Sequence, residues 1–332
     1  MPLHRTTDEA APEKRSLAVL LIAPRGFCAG VQMAVNCLDH VVATLPGPIY
    51  AYHQIVHNND VVASFELRGV VFVDDIESVP DGAVVVLSAH GVAPEIYSRA
   101  HARNLTVIDA TCPLVMKVHL EARRFRDQGY SIVLIGHRGH DEVVGIQGEA
   151  EQVMQIVESV QEIEKLDVPD PEKVAVLTQT TLSLLETRTM IAALKRRFPL
   201  LRLPHKDDIC YATQNRQEAL LTALPQSDLA LVIGSRSSSN TQRLWELSCE
   251  FGVRSYRIDG PQEIKLEWFL DARSVLVTAG ASVPESVVVE VLQWLRDRFL
   301  LHVEERALKK EVVNFLLPTS VLVASQAATN SP

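Results

Sequence analysis

The 332-residue chain contains no uninterrupted apolar stretch of the kind a membrane helix needs, about 20 residues. No membrane span is expected. The first residues, MPLHRTTDEAAPEKRS, mix acids and bases without an apolar core, so they fit neither a secretory signal nor an acid-poor transit peptide. Residues 1–17 are expected to form a disordered extension. A positive surface field is also missing. The net charge of −9 argues against a nucleic-acid partner, so any anionic ligand must be held by a local site. No G-x-G-x-x-G follows a strand and no G-x-x-x-x-G-K-[ST] occurs, which leaves dinucleotide and P-loop chemistry unsupported. Repeats and low-complexity segments are absent as well. Five cysteines, an odd number scattered along a long chain, suit reduced thiols in the cytoplasm better than a disulfide framework.

What is present is an alternation of short β-branched runs and helical stretches. Strands are predicted over 16–23, 69–75, 82–89, 105–110, 130–136, 173–179, 228–235, 253–259 and 274–280. Most are apolar without alternation, as parallel strands covered on both faces should be. Helical periodicity marks 31–45, 184–198 and 285–299. This order predicts an α/β fold with mainly parallel sheets and right-handed crossovers. The unusual residues fall in RGFCAG, SAHG, DATCP, GHRGHDE, TQTTLS, SRSSSN and TAGAS, each after a strand and before a helix. Such loops line the carboxyl edge of a parallel sheet, where helix N-termini turn free N–H groups toward ligands. Small polar residues also cap helices, but capping does not account for the cysteines and histidines.

Cys28, Cys112 and Cys210 sit in RGFCAG, DATCP and DDICYAT, among small or polar neighbours and each expected at a strand's carboxyl edge, whereas Cys37 and Cys249 sit in helical patterns. The intervals of 84 (112 − 28) and 98 (210 − 112) residues each match about one small α/β lobe. Three sulfur ligands point to an iron–sulfur group or zinc before a hard metal. Spacing does not choose between them.

Taken together, PRGFCAGV, HQIVHN, SAHGV, DATCPLVMKVH, GHRGHDEVVG, TQTTLS, KDDICYATQNRQ, GSRSSSNTQRL and TAGASVP resemble the 4-hydroxy-3-methylbut-2-enyl diphosphate reductase (IspH/LytB) family, in that family's order, over about residues 18–300. The resemblance implies three similar α/β lobes arranged with pseudo-threefold symmetry around one [4Fe–4S] cluster per chain. Cys28, Cys112 and Cys210 would be its ligands. The expected lobes are 18–111, 112–209 and 210–300, with a C-terminal tail over 301–332 that ends frayed. The implied reaction is reductive removal of the substrate's allylic hydroxyl, giving isopentenyl and dimethylallyl diphosphates in the non-mevalonate pathway. Ferredoxin or flavodoxin would supply the electrons.

The same resemblance implies roles for further residues. His57, His90, Ser238, Ser239, Asn240 and Ser282 would bind the diphosphate, and His140 would contact it or help orient the site. The loop positions of His57 and His90 also let them donate as imidazolium. Loop histidines and helix caps are the plainer readings of these residues. Glu142 would relay a proton to the leaving hydroxyl, and Thr180 would bind that hydroxyl and pass the proton on. Otherwise Glu142 reads as an exposed acid at a helix start and Thr180 as a cap. Two departures stand out: Asp141 replaces a common Pro, and Val144 and Ile146 replace frequent polar residues. A zinc hydrolase, an aconitase-like hydro-lyase and a non-catalytic redox sensor are the competing readings of the cysteines.

Overall fold

The β-branched runs form three all-parallel sheets. The computed structural model describes residues 14–321 and Ala324, so the expected extension over 1–17 falls outside it up to residue 13. The chain begins with β1 (Ser16–Ala23), α1 (Ala29–Thr44), β2 (Ile49–Tyr52), α2 (Asn59–Glu66), β3 (Val71–Val73), β4 (Val84–Leu87) and α3 (Pro94–Ala102). It continues with β5 (Thr106–Asp109), α4 (Pro113–Asp127), β6 (Ser131–Ile135), α5 (Asp141–Gly148), β7 (Met154–Val157), α6 (Val160–Ile163) and β8 (Val174–Thr178). Next come α7 (Leu184–Arg197), α8 (Tyr211–Ala223), β9 (Leu229–Ile233), α9 (Ser239–Glu250) and β10 (Arg254–Ile258). β11 (Ser274–Ala279), α10 (Glu285–Arg298) and β12 (Leu300–Ala307) complete the regular structure.

The sheet orders are β3-β2-β4-β5 in the first lobe, β7-β6-β8 in the second and β10-β9-β11-β1-β12 in the third. Every residue of β8 and β9 is buried, as expected for strands with helices on both faces. Three strands had no sequence signal: β2, β7 and β12. The first two are four residues long, and β12 (LLHVEERA) is largely exposed and charged. Backbone pairing holds β12 at the sheet edge, in register with β1 from Ser16↔Leu300 to Ala23↔Ala307.

The lobe boundaries differ from the expected ones at both ends. β1 pairs with β11 and β12 and so belongs to the third lobe, not to one spanning 18–111. The expected tail over 301–332 contains most of β12, and Val321 is fully buried in the first lobe's core. Residues 322, 323 and 325–332 lie outside the described part.

This threading sends the chain from lobe to lobe three times. α1 follows β1 but packs Ala34, Cys37, Leu38 and Val41 against Ile49, Ala51 and Val86 of the first lobe. α4 follows β5 but buries Val118, Ala122 and Phe125 against Ile132, Leu134 and Leu177 of the second. α8 follows the second lobe's last helix and buries Ala219, Leu220 and Ala223 against Ala230, Val232 and Leu276 of the third. Removing these apolar faces from water, at roughly 25 cal/mol per Å², is what fastens each crossing helix to its new lobe.

Candidate active site

Each crossing begins with a cysteine. Cys28 is the N-cap of α1, Cys112 of α4 and Cys210 of α8. Pro113, at the first turn of α4, needs no N–H partner there. Cys210 Sγ takes the cap role directly, accepting from Thr213 N at 3.4 Å. All three thiols line one pocket, facing it from three helix N-termini whose partial positive charge suits an anionic centre. Burial pushes Cys112 up to about 12 and Cys210 up to about 11, and neighbouring thiols add to both shifts. A thiol of this kind gives up its proton to a bound metal. Cys37 is instead fully buried in the first lobe's core, Cys249 is exposed, and all five cysteines are free.

The pocket suits a sulfur-ligated group larger than one ion. A Cβ at Gly30 would overlap Cys112 Sγ, so the backbone approaches the thiols where only glycine fits. Among the described residues, the His/Cys/Asp/Glu trio with ligand atoms within 4.8 Å of one another is His57, His90 and Asp141. The three-thiol donor set fits an iron–sulfur cluster.

Glu142 lies across the same pocket, 2% exposed. Its Oε1 accepts from Thr180 N at 2.6 Å, and its Oε2 accepts from Thr180 Oγ1 at 3.0 Å. Burial raises its pKa to about 7, the Thr180 bonds lower it, and Asp208 adds a smaller upward push. It is therefore a buried acid poised near neutrality, not an exposed residue at a helix start.

The imidazoles form a second wall. His57 and His90 stack with ring centroids 3.9 Å apart, and His140 stands edge-on to them at 5.2 and 5.9 Å. His140 Nδ1 caps α5 by accepting from Glu142 N at 3.2 Å, which leaves Nε2 as its donor. Both ring nitrogens of His57 are buried without a partner. Burial lowers the pKa of all three rings, that of His140 to about 4. Burial therefore favours the neutral form of His57 and His90, against the imidazolium expected for them. Unpaired N–H groups still bind anions, and an arriving negative charge shifts such rings toward the charged form.

The remaining expected residues close the circle. Ser238 caps α9 by accepting from Thr241 N at 3.4 Å, so its capping and pocket positions coincide. Ser282 Oγ donates to His57 O at 3.0 Å and lies 3.4 Å from Ser238 Oγ. Ser239 Oγ accepts from Thr181 Oγ1 at 2.9 Å. Asn240 accepts from Ala281 N at 2.9 Å and donates to Thr213 Oγ1 at 3.3 Å. Sequence reasoning missed Thr213, Thr181 and His53. Thr213 Oγ1 is 3.2 Å from Cys210 Sγ, and its position three residues into CYAT, facing the cap, was the available clue.

Residues 19–296 match the family described as LytB protein. The chain belongs to the LytB family. LytB relatives include 4-hydroxy-3-methylbut-2-enyl diphosphate reductase of Rhodopirellula baltica, 49% identical over 94% of this chain and 98% of its own. The enzyme of that name from Acidothermus cellulolyticus is 50% identical over 93% of this chain and 91% of its own. Among solved LytB-like structures, the E-1-hydroxy-2-methyl-but-2-enyl-4-diphosphate reductase of Plasmodium falciparum superposes with a TM-score of 0.90 at 34% identity, covering 96% of this chain and 100% of its own.

Asp141 takes up its departure from the LytB pattern without disturbing α5. It occupies the helix's first position, where proline's fixed φ and an acid's charge are both favourable. Its Oδ1 bonds His53 Nδ1 at 2.7 Å, and its Oδ2 lies 3.9 Å from His57 Nε2 and 4.0 Å from His90 Nδ1. Ile146 is fully buried beside Phe125 and Leu134, while Val144 faces outward.

Proposed function

We propose that this chain reduces 4-hydroxy-3-methylbut-2-enyl diphosphate. The allylic C–O bond breaks, two electrons and two protons are taken up, and isopentenyl or dimethylallyl diphosphate leaves with water. This is the terminal step of the non-mevalonate pathway. The observation that carries the proposal is the meeting, in one pocket, of three helix-capping thiols, the Glu142–Thr180 pair and the three imidazoles.

Cys28, Cys112 and Cys210 would hold one [4Fe–4S] cluster. When bound, that group supplies electrons singly and Lewis acidity at an iron without a protein ligand. The chain's own residues do the rest. His57, His90 and His140 donate to the diphosphate, together with Ser238, Ser239, Ser282 and Asn240 of the same pocket. Docking excludes water and adds the negative charge that the neutral rings lack. Glu142, protonated over much of the neutral range, holds the proton needed at the departing oxygen. Thr180 Oγ1 orients that proton and hydrogen-bonds the substrate hydroxyl. A one-electron protein donor such as ferredoxin or flavodoxin fits the lack of a nucleotide fingerprint. Five free thiols favour the cytoplasm, and no helix among the described residues is long and apolar enough to cross a membrane.

The test is anaerobic purification with metal and sulfide analysis, then turnover with and without a chemical reductant. About four iron and four sulfide per chain and reductant-dependent loss of substrate are expected. Colourless protein holding one zinc, or turnover that needs no reductant, would overturn the proposal.

A further inference from the structure

Arg216, on α8 and 1% exposed, bonds three separate segments. Its Nη1 donates to Ala212 O at 2.9 Å on its own helix and to Glu311 Oε1 at 3.2 Å. Its Nη2 donates to Gly26 O at 2.7 Å. Gly26 lies two residues before Cys28, and Ala212 two residues after Cys210. One guanidinium therefore joins the turns that carry two of the three thiols. Arginine's planar fork can serve acceptors in different directions at once, which a lysine ammonium on a flexible stem cannot reproduce.

Glu311 comes from the segment that follows β12. Asn215 donates to the same carboxylate at 3.0 Å, and Lys309 Nζ bonds Glu218 Oε2 at 2.6 Å, so the segment lies along α8. Further on, Leu317 packs against the first lobe's core and Val321 is fully buried in it, together with Ala34, Leu38 and Val41 of α1. The strap over 308–321 thus contacts both the helix headed by Cys210 and the core covered by the helix headed by Cys28. Neither Arg216 nor Glu311 lines the pocket, so neither meets the substrate. Their contacts reach the ligand turns only from behind.

We infer that Arg216 and Glu311 are positioning residues for the thiol cage, and that the strap carrying Glu311 is the piece that closes it. This role rests on the cluster reading above. Glu311 neutralises a charge with almost no access to water, which lets the guanidinium hold the Cys28 turn against α8. Without that lock the spacing between Cys28 and Cys210 relaxes, and a bound cluster is exposed to chelators.

The experiment compares wild type with Glu311→Gln, Arg216→Lys and Lys309→Ala, all reconstituted anaerobically. Iron and sulfide per chain are measured first, then the decay of cluster absorbance under an iron chelator, then the thermal midpoint of each cluster-free protein. Glu311→Gln and Arg216→Lys are expected to lose the cluster at least about tenfold faster, as removal of a buried charge's partner implies. Lys309→Ala, which removes only an exposed contact, should decay as wild type does. If Glu311→Gln fails to fold, Arg216→Lys, which keeps the positive charge, carries the test. Unchanged decay in both variants of loaded protein overturns this inference alone. Equal acceleration in Lys309→Ala overturns it too, and so does faster decay matched by an equally lowered cluster-free midpoint. Wild type that binds no cluster overturns the cluster reading and this inference together.

Discussion

Replacing Glu142 with glutamine removes one ionisable proton and little else. The new side chain is nearly isosteric: its carbonyl oxygen can keep the Thr180 N bond now at 2.6 Å, and its amide nitrogen can face Thr180 Oγ1. The three thiols and the imidazole wall are untouched. Loss of a positioned general acid lowers kcat by about 10²–10⁴, or about 3–5 kcal/mol in the barrier. Because the acid form is needed and its pKa stands at about 7, wild-type kcat should fall as pH rises through that value. The residual rate of the variant should lack that limb. Stability should follow its own course with pH. A carboxyl raised from 4.5 to about 7 binds its proton more tightly folded than unfolded, so its stabilising contribution is present at low pH and lost as pH rises through about 7. Between about pH 5.5 and about pH 8 this costs wild type about 2 kcal/mol that the glutamine variant does not lose. Steady-state rates and chemical denaturation, both anaerobic and at the two pH values, measure these effects. Near-normal turnover, or a stability difference that does not change with pH, would refute the assignment of a buried, protonated Glu142.

Other substitutions probe the remaining walls. Cys112→Ser should lower iron content sharply, whereas Cys249→Ser, at an exposed thiol, should leave it unchanged; metal analysis separates the two. Gly30→Ala places a methyl against Cys112 Sγ and should lose cluster while circular dichroism stays that of the folded protein. Asp141→Pro should keep α5, because both residues suit its first position, and remove a negative charge about 4 Å from the two rings proposed to bind the diphosphate. KM should fall about threefold to tenfold with kcat little changed, the size expected for one screened charge at that range.

The carboxyl-edge loops were legible because each follows an apolar run long enough to read as a strand, and the segments carrying Cys28, Cys112 and Cys210 all meet at the pocket. Cys210 corrects the expectation of a cysteine at each strand's carboxyl edge, because it ends the loop between α7 and α8 and follows no strand. β12 was not legible. Its side chains are largely exposed and charged, and what fixes it is main-chain pairing with β1 at the other end of the chain. The same long-range pairing hid the true home of β1, which reads locally like the first strand of a first lobe. Glu142's proximity to a strand end was visible, but its pKa was not, since burial and the paired Thr180 bonds come from a loop 38 residues away. The burial of the histidines was missed for a related reason. A loop position suggests exposure, while the stacking of His57 on His90 withdraws both from water.

Since each cysteine opens a crossing between lobes, the three-thiol cage has no local precursor. Cys28 is the earliest of the three to be synthesised, yet the strand that leads into it has no strand partner until β11 and β12 have been made. A nascent chain therefore carries separate thiols through most of its synthesis and a triad only at the end. Insertion of the proposed cluster would then be a late event, one that requires β11 and β12 to have been made and threaded. A fragment lacking either flank of the third sheet should accordingly behave as an ordinary thiol protein, whatever lobes it retains.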